Sequence, residues 1–88
     1  MIKEFRIQLD DEASAAYISF SDKKSVKTEP ISNVVNADLD EAGHLVGIEL
    51  LELHHTDSLF EVAGTLGLSE REIEAIRSDL EKAITPLA

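Results

Sequence analysis

The sequence predicts an α+β fold in which an antiparallel meander of four or five strands is followed by two C-terminal helices. Apolar residues recur with a two-residue or continuous period over residues 5–53, which is typical of strands, and with a helical period from residue 58 onward. The chain has 88 residues, which is the length of one modest domain. We therefore expect a single domain, 1–88, composed of a strand-rich half (1–55) and a helical hairpin half (56–88).

The first three strands are predicted from alternation and turn residues. Apolar and polar side chains alternate over residues 5–9 and again over residues 16–20, as in strands with one buried face. Residues 26–29 form a third, short candidate. Pro30 confines that strand to an edge of the sheet, because proline cannot donate a ladder hydrogen bond.

A hairpin is predicted where residues 34–39 and 45–53 flank the turn Asp40-Glu41-Ala42-Gly43. Glycine after short acidic residues adopts the positive φ that a tight hairpin requires. The second strand of this pair is apolar enough to lie centrally in the sheet. Gly47 inside it indicates a bulge or a close backbone approach.

Two polar residues of this hairpin, Asn36 and Asp38, share one strand face and are expected across from Glu49 or Gly47. They could be solvated, or they could line a small-ligand pocket if the helices cover that face. Tyr17 is expected as a half-buried sheet aromatic with its hydroxyl at the rim, rather than as a catalytic acid.

Two helices are predicted in the second half. In the first, one face is formed by Leu59, Phe60, Val62, Ala63 and Leu66, and Gly67 fits the left-handed position that ends a helix. Ser69 and Glu72 have the spacing of a capping box at the start of the second helix. The apolar stripe of that second helix, which Pro86 ends, comprises Ile73, Ile76, Leu80, Ala83, Ile84 and Leu87.

Composition and charge exclude several classes of protein. Eighteen acidic residues against eight basic ones give a formal net charge of −10, which disfavours binding to nucleic acid or to anionic membranes. The absence of cysteine excludes disulfides, a thiol nucleophile and cysteine-based metal sites. Acidic residues recur too often for a signal peptide or a spanning helix, so we expect a cytoplasmic protein.

Metal binding has weak candidates in His54, His55 and Asp57, the cluster with metal-ligand residue types. Adjacent histidines on a strand point to opposite faces, so an exposed linker with Asp57 or Ser58 capping the next helix is the preferred interpretation. No cofactor is expected, no catalytic residue is assigned, and the chain is predicted not to be an enzyme.

Acidic side chains also cluster at two predicted turns, over residues 10–12 and at Asp38, Asp40 and Glu41. Paired carboxylates could perform acid–base chemistry or bind calcium. Neither cluster has the spacing of an EF-hand loop. A structural role is therefore favoured, because aspartate side chains commonly bond the backbone of their own turn.

Two stretches together resemble the domain-of-unknown-function family 2283, a group of small uncharacterised prokaryotic proteins. The first is LDDEASAAYI at residues 9–18, an acidic turn followed by small residues and Tyr-Ile. The second is VVNADLDEAGHLVGIELL at residues 34–51. The resemblance covers residues 5–53. It implies a small mixed α/β protein without an established activity, and an antitoxin-like or accessory role.

The helical half also has the spacing of a helix-turn-helix, with Ala63 at the contact, the turn at residues 67–69, and Ile73 and Ile76 buried behind it. Packing of any two helices with a tight turn requires the same pattern. A transcriptional regulator that meets DNA as a dimer is therefore an alternative, although the acidic surface disfavours it. A weak metal- or ligand-binding protein is the other alternative.

The leading functional hypothesis is a non-enzymatic protein–protein interaction module. Two helices on one thin sheet carry many apolar side chains, and any of them left exposed would favour association. A homodimer joined through the helical half is expected, with a small basic protein as a candidate further partner. The predicted interface residues are Phe60, Ile73, Ile76, Leu80 and Ile84.

Overall fold

The computed structural model describes residues 4–10, 12–53 and 57–84. It confirms the α+β class, with five antiparallel strands followed by two C-terminal helices. The elements are β1 (Arg6–Asp10), β2 (Ala15–Ser19), β3 (Lys27–Pro30), β4 (Val35–Leu39), β5 (Leu45–Leu50), α1 (Ser58–Leu66) and α2 (Glu70–Ile84).

The strand order is β1-β2-β5-β4-β3, with every neighbouring pair antiparallel. A simple meander would run in sequence order, whereas here β3, β4 and β5 form one meander and β2 pairs with β5. The most apolar strand, β5, thereby occupies the centre of the sheet, as predicted. The strand β3 lies at an edge, as Pro30 requires.

The core lies between one face of the sheet and both helices. Ile18, Ile48 and Leu50 point from the central strands toward the helices and are fully buried. The helices contribute Leu59, Ala63, Ile73, Ile76 and Leu80 to the same cluster. Removing such side chains from water is the main force that holds the helices on the sheet, at about 25 cal/mol per Å² of apolar surface.

The turns and helix ends follow the local signals. Gly43 has a φ of +85° in the β4–β5 hairpin, and Gly67 has a φ of +74° at the end of α1. Ser69 Oγ accepts from the Glu72 amide at 3.1 Å, and Glu72 Oε1 accepts from the Ser69 amide at 3.0 Å. These two bonds form the predicted capping box of α2.

The predicted dimer interface needs correction, because most of its residues are buried in this chain's own core. Ile73, Ile76 and Leu80 are 0%, 1% and 0% exposed against the sheet and α1. Phe60 is 37% exposed, and Ile84 is half-buried at the margin of the core. The helical stripe was expected to exceed what one sheet can cover, but its three central residues are buried against the sheet and α1 of the same chain.

Other residues of the predicted stripe differ from this pattern. Ala83 is exposed, and Leu87 and Pro86 lie outside the described residues. The Arg77 guanidinium lies over the ring of Phe60, 5.5 Å from the ring centroid. Association of two copies stays a prediction, with Phe60 and Ile84 as the accessible members of the predicted interface. In the described part of the chain, no helix has the length and apolar character needed to cross a membrane.

Candidate functional site

The sheet face opposite the helices, here called the outer face, brings together polar side chains from four strands. Because side chains alternate along a strand, residues next to the buried Ile18 and Ile48 point to this face. The group, here called the outer-face cluster, comprises Tyr17, Thr28, Asn36, Asp38 and Glu49.

The strand register places these residues beside one another. Asn36 pairs with Glu49, as expected, and Glu49 also pairs with Tyr17 on its other side. Asp38 pairs with Thr28 across β3–β4. The two helices pack on the opposite face, so the covered pocket considered from the sequence does not form, and the cluster lies on an open surface.

Gly47 makes room for the ring of Tyr17. A Cβ built on Gly47 would collide with the Tyr17 hydroxyl and Cζ and would lie 2.9 Å from the Ile18 carbonyl oxygen. The pairing of β4 with β5 shifts register at Asp38 and Leu39, beside Gly47. Both expected features, a close approach and a strand irregularity, therefore occur here, and together they let the hydroxyl of Tyr17 reach β4.

Asp38 forms hydrogen bonds with three other members of the outer-face cluster. Its side chain is only 6% exposed, and a buried carboxylate requires hydrogen-bond donors. The Thr28 hydroxyl donates to Asp38 Oδ1 at 2.6 Å. The Tyr17 hydroxyl donates to the same carboxylate, and the carboxyl group of Glu49 bonds it as well.

The ionisation of the cluster follows from these contacts. Burial raises the pKa of Tyr17 to about 12, and the Asp38 carboxylate adds to the shift, so the hydroxyl stays protonated. The hydrogen bond with Asp38 raises the pKa of Glu49, and burial adds to this, while a bond with Asn36 opposes it. A hydrogen bond between two carboxyl groups requires a proton on one of them, and the raised pKa of Glu49 favours protonation of Glu49 at this contact.

An open depression of about 850 Å³ lies over the β1–β2–β5 side of the cluster. Four carboxyl groups line it, those of Asp10, Glu12, Asp38 and Glu49, together with Tyr17 and apolar side chains. Among its described lining residues there is no lysine, arginine, histidine or serine. The depression can therefore accept hydrogen bonds and attract cations, and the described residues around it offer no serine–histidine pair for nucleophilic catalysis.

The raised pKa of Glu49 makes a prediction about stability. Glu49 keeps its proton to a higher pH in the folded chain than in the unfolded chain, where a glutamate loses it near a pKa of about 4.3. The stabilisation of the folded state that results is fully present below the glutamate pKa of the unfolded chain. It is lost as pH rises through the raised pKa of Glu49. Glu49→Gln keeps a donor to Asp38 without the charge, so we expect it to be more stable than the wild type at pH 7 by about 0.5–1 kcal/mol.

Urea unfolding of both proteins from pH 3.5 to pH 8 measures this difference. The gain should shrink toward zero at the acidic end, because the wild-type pair is then protonated as well. A gain that is the same at every pH, or a loss of stability at pH 7, would contradict the raised pKa of Glu49.

Two other acidic side chains, Asp40 and Asp10, stabilise turns, as favoured from the sequence. Asp40 Oδ1 accepts from the amides of Ala42 and His44, both at 2.9 Å, and the bond from His44 is the main cause that lowers the pKa of Asp40. Asp10 Oδ1 accepts from the Ala13 amide at 3.2 Å. These carboxylates replace backbone partners that a tight turn leaves unsatisfied.

Of the three predicted metal ligands, only Asp57 belongs to the described residues. Asp57 precedes α1 at the N-cap position but makes no side-chain capping bond, and His54 and His55 lie outside the described residues. Within residues 4–10, 12–53 and 57–84, no group of three or more histidine, aspartate or glutamate side chains converges as metal ligands do.

Sequence reasoning missed two features of the site, the part played by Thr28 and the bond between Asp38 and Glu49. Both depend on which strands pair. The signal available was the acidic hairpin turn, which sets Asn36 opposite Glu49 and thereby brings Asp38 within diagonal reach of Glu49. The position of Tyr17 next to Glu49 could not be read from the hairpin, because β2 and β5 are far apart in sequence.

Comparison with known proteins adds one finding. A family model described as "Protein of unknown function (DUF2283)" matches residues 6–53. This confirms the resemblance noted from residues 9–18 and 34–51. The match spans all five strands and every member of the outer-face cluster, and it ends before α1. No curated protein and no solved structure matches the chain.

Proposed function

This chain belongs to the DUF2283 family of proteins of unknown function, and from that premise we propose that it is a non-enzymatic interaction module whose outer face binds a basic segment of a partner protein. One observation carries the proposal: four carboxyl groups line an open depression whose described lining has no basic side chain. In the cell, the chain would then have an accessory, antitoxin-like role and would bind a small basic partner protein.

Charge complementarity favours an arginine-bearing partner. A guanidinium group presents several donors in a planar fork that matches carboxylates. Placed between Asp38 and Glu49, it would donate to both carboxylates and remove the need for a proton between them. Leu51, which is 40% exposed at the edge of the depression, offers an apolar surface to the alkyl stem of such a side chain.

The alternative of a DNA-binding regulator has less support. The exposed part of α2 carries Glu70, Glu74 and Glu81. Arg77 forms salt bridges with Glu74 at 2.8 Å and with Glu81 at 3.0 Å. That arginine is therefore engaged within its own helix. A surface of this sign repels phosphates, whose neutralisation supplies most non-specific affinity for DNA.

Titration with a defined basic peptide tests the proposal. The probe is an end-blocked octapeptide of alternating arginine and serine, and the negative probe replaces arginine with glutamate. We expect saturable binding of the first peptide alone. The double variant Asp38→Asn, Glu49→Gln should bind it at least about tenfold more weakly, because two charge-assisted bonds are lost.

The matched control is Glu41→Gln, which removes one negative charge from an exposed turn outside the depression. We expect it to change affinity by less than about twofold at 0.15 M salt, where charges more than about 8 Å apart are screened. Equal losses per carboxylate removed in the two variants would mean that net charge alone attracts the peptide, and the proposed site would then be wrong.

The affinity of the arginine peptide should rise with pH. Its binding requires Glu49 to be ionised, and the hydrogen bond with Asp38 raises the pKa of Glu49 above the usual glutamate value. Affinity should therefore increase as pH rises from about 4.3, the usual glutamate pKa, through the raised value. Calorimetry in two buffers of different ionisation enthalpy should detect proton release on binding, and this release should be absent in Glu49→Gln.

A further inference from the structure

We propose that the open edge of β1 pairs antiparallel with β1 of a second copy, centred on Gln8, so that two five-stranded sheets join into one. The observation is a strand that is complementary to itself at an edge of the sheet where no further described strand pairs with it. The inference does not depend on the proposed function, since it concerns the edge of the sheet rather than its outer face.

The two edges of the sheet differ in how they are protected. All four residues of β3 are exposed, and they include Lys27, Glu29 and Pro30. Lys27 and Glu29 pair with Leu39 and Ala37 and so lie on the core side of the sheet, and charges in that position and proline are common devices that prevent edge-to-edge pairing. The other edge, β1, contains no proline, its charged residues Arg6 and Asp10 lie on the outer face at its two ends, and on the core side it has the half-buried Ile7 and Leu9. Pairing through β1 would finish covering those two side chains, which pack against the core.

The backbone of β1 has the orientation that such pairing needs. The Phe20 amide donates to the Val46 carbonyl in β5, so alternation directs the backbone groups of Tyr17 toward β1. Gln8 pairs with Tyr17 and uses its backbone groups within the sheet. The backbone groups of Ile7 and Leu9 therefore point to the open edge, where they can bond another strand.

The sequence of β1, Arg-Ile-Gln-Leu-Asp, is complementary to itself in one register. When two copies run antiparallel around Gln8, Arg6 lies opposite Asp10 of the second copy. Ile7 then lies opposite Leu9 of the second copy on the core side. Opposite charges and apolar pairs placed across strands both stabilise a sheet. The ion pair that Arg6 makes with Asp22 lies at the surface, with side chains 72% and 91% exposed, and leaves the guanidinium accessible.

This pairing would also link the two depressions. Gln8 and Asp10 line the depression of each copy and belong to the β1 strand that pairs. Two acidic surfaces would then meet across the two-fold axis. A partner with two basic segments would bind such a pair more tightly than one copy, through effective concentration alone.

Cysteine cross-linking tests the register, because the chain has no cysteine of its own. Gln8 would face Gln8 of the second copy in a non-hydrogen-bonded pair, with Cα atoms about 4.5 Å apart, which suits a disulfide. We expect Gln8→Cys to form a covalent dimer under mild oxidation at least about tenfold faster than Arg6→Cys, whose two copies would lie about 13 Å apart along the strands. Lys24→Cys is the control, because Lys24 is exposed in the loop before β3. Its rate of cross-linking gives the rate expected from random collision of two copies.

Cross-linking of Gln8→Cys no faster than of Lys24→Cys would overturn the proposal, and so would faster cross-linking of Arg6→Cys. Charge reversal gives a second test without cysteine. Arg6→Asp should weaken the dimer measured by sedimentation equilibrium by about tenfold, since two cross-strand pairs become repulsive. The double variant Arg6→Asp, Asp10→Arg should recover most of that loss, and failure to recover in a folded double variant would also overturn the proposal.

Discussion

Gly47→Ala is expected to lower the free energy of unfolding by about 3 kcal/mol, the upper end of the usual cost of overpacking. The new Cβ would collide with the hydroxyl and Cζ of Tyr17 and would press on the carbonyl oxygen of Ile18. The Tyr17 ring can escape only by leaving β5, and Asp38 then loses one of its donors. The same change should therefore also alter tyrosine absorbance and weaken peptide binding.

A second glycine gives the matched control. Gly64 lies inside α1, and a Cβ added there would meet no atom within 4 Å, so Gly64→Ala enters open space. It should raise the free energy of unfolding by about 0.5–1 kcal/mol, because alanine loses less backbone entropy than glycine in a helix. Urea unfolding of both variants measures the contrast. Equal effects at the two positions would show that the ring of Tyr17 does not rest on Gly47 in solution.

Leu80→Ala is expected to lower the free energy of unfolding by about 2–5 kcal/mol, the range for a large core side chain replaced by alanine. Leu80 is fully buried against the sheet of its own chain. The loss should be independent of protein concentration, because the contacts lie within one copy. A loss of this size is a large part of the total stability of a small domain.

Phe60→Ala is the comparison for that result. Phe60 is 37% exposed and makes a cation–π contact with Arg77, which is worth about 0.5–1 kcal/mol at exposed sites. A small loss is therefore expected there. If Leu80→Ala instead left the unfolding of the monomer unchanged and only dissociated an oligomer, Leu80 would be an interface residue, and the packing of α2 on its own sheet would be wrong.

Local features of the fold were predictable from the sequence because each depends on a few neighbouring residues. The hairpin at Gly43, the end of α1 at Gly67 and the capping box of Ser69 and Glu72 all follow from short-range backbone chemistry. The edge position of β3 follows from Pro30 in the same way.

Features that depend on long-range pairing were not predictable from these signals. The pairing of β2 with β5 decides that Tyr17 meets Glu49, and nothing near either residue specifies it. Whether the apolar stripe of α2 is buried within its own chain depends on the width of the sheet. An apolar stripe that includes Ile73 and Ile76 predicts burial, but the pattern does not say whether the cover comes from the same chain or from a second copy.

The most direct test of the central claim is an amide chemical-shift titration of the ¹⁵N-labelled chain with the arginine–serine octapeptide. Binding at the outer face predicts saturable shifts at Tyr17, Asp38 and Glu49, with α2 unaffected, and saturation only at higher peptide concentration in Glu49→Gln. Shifts centred on α2, or no saturable shift in the wild type at pH 7, would contradict the claim that the outer face recognises a basic partner.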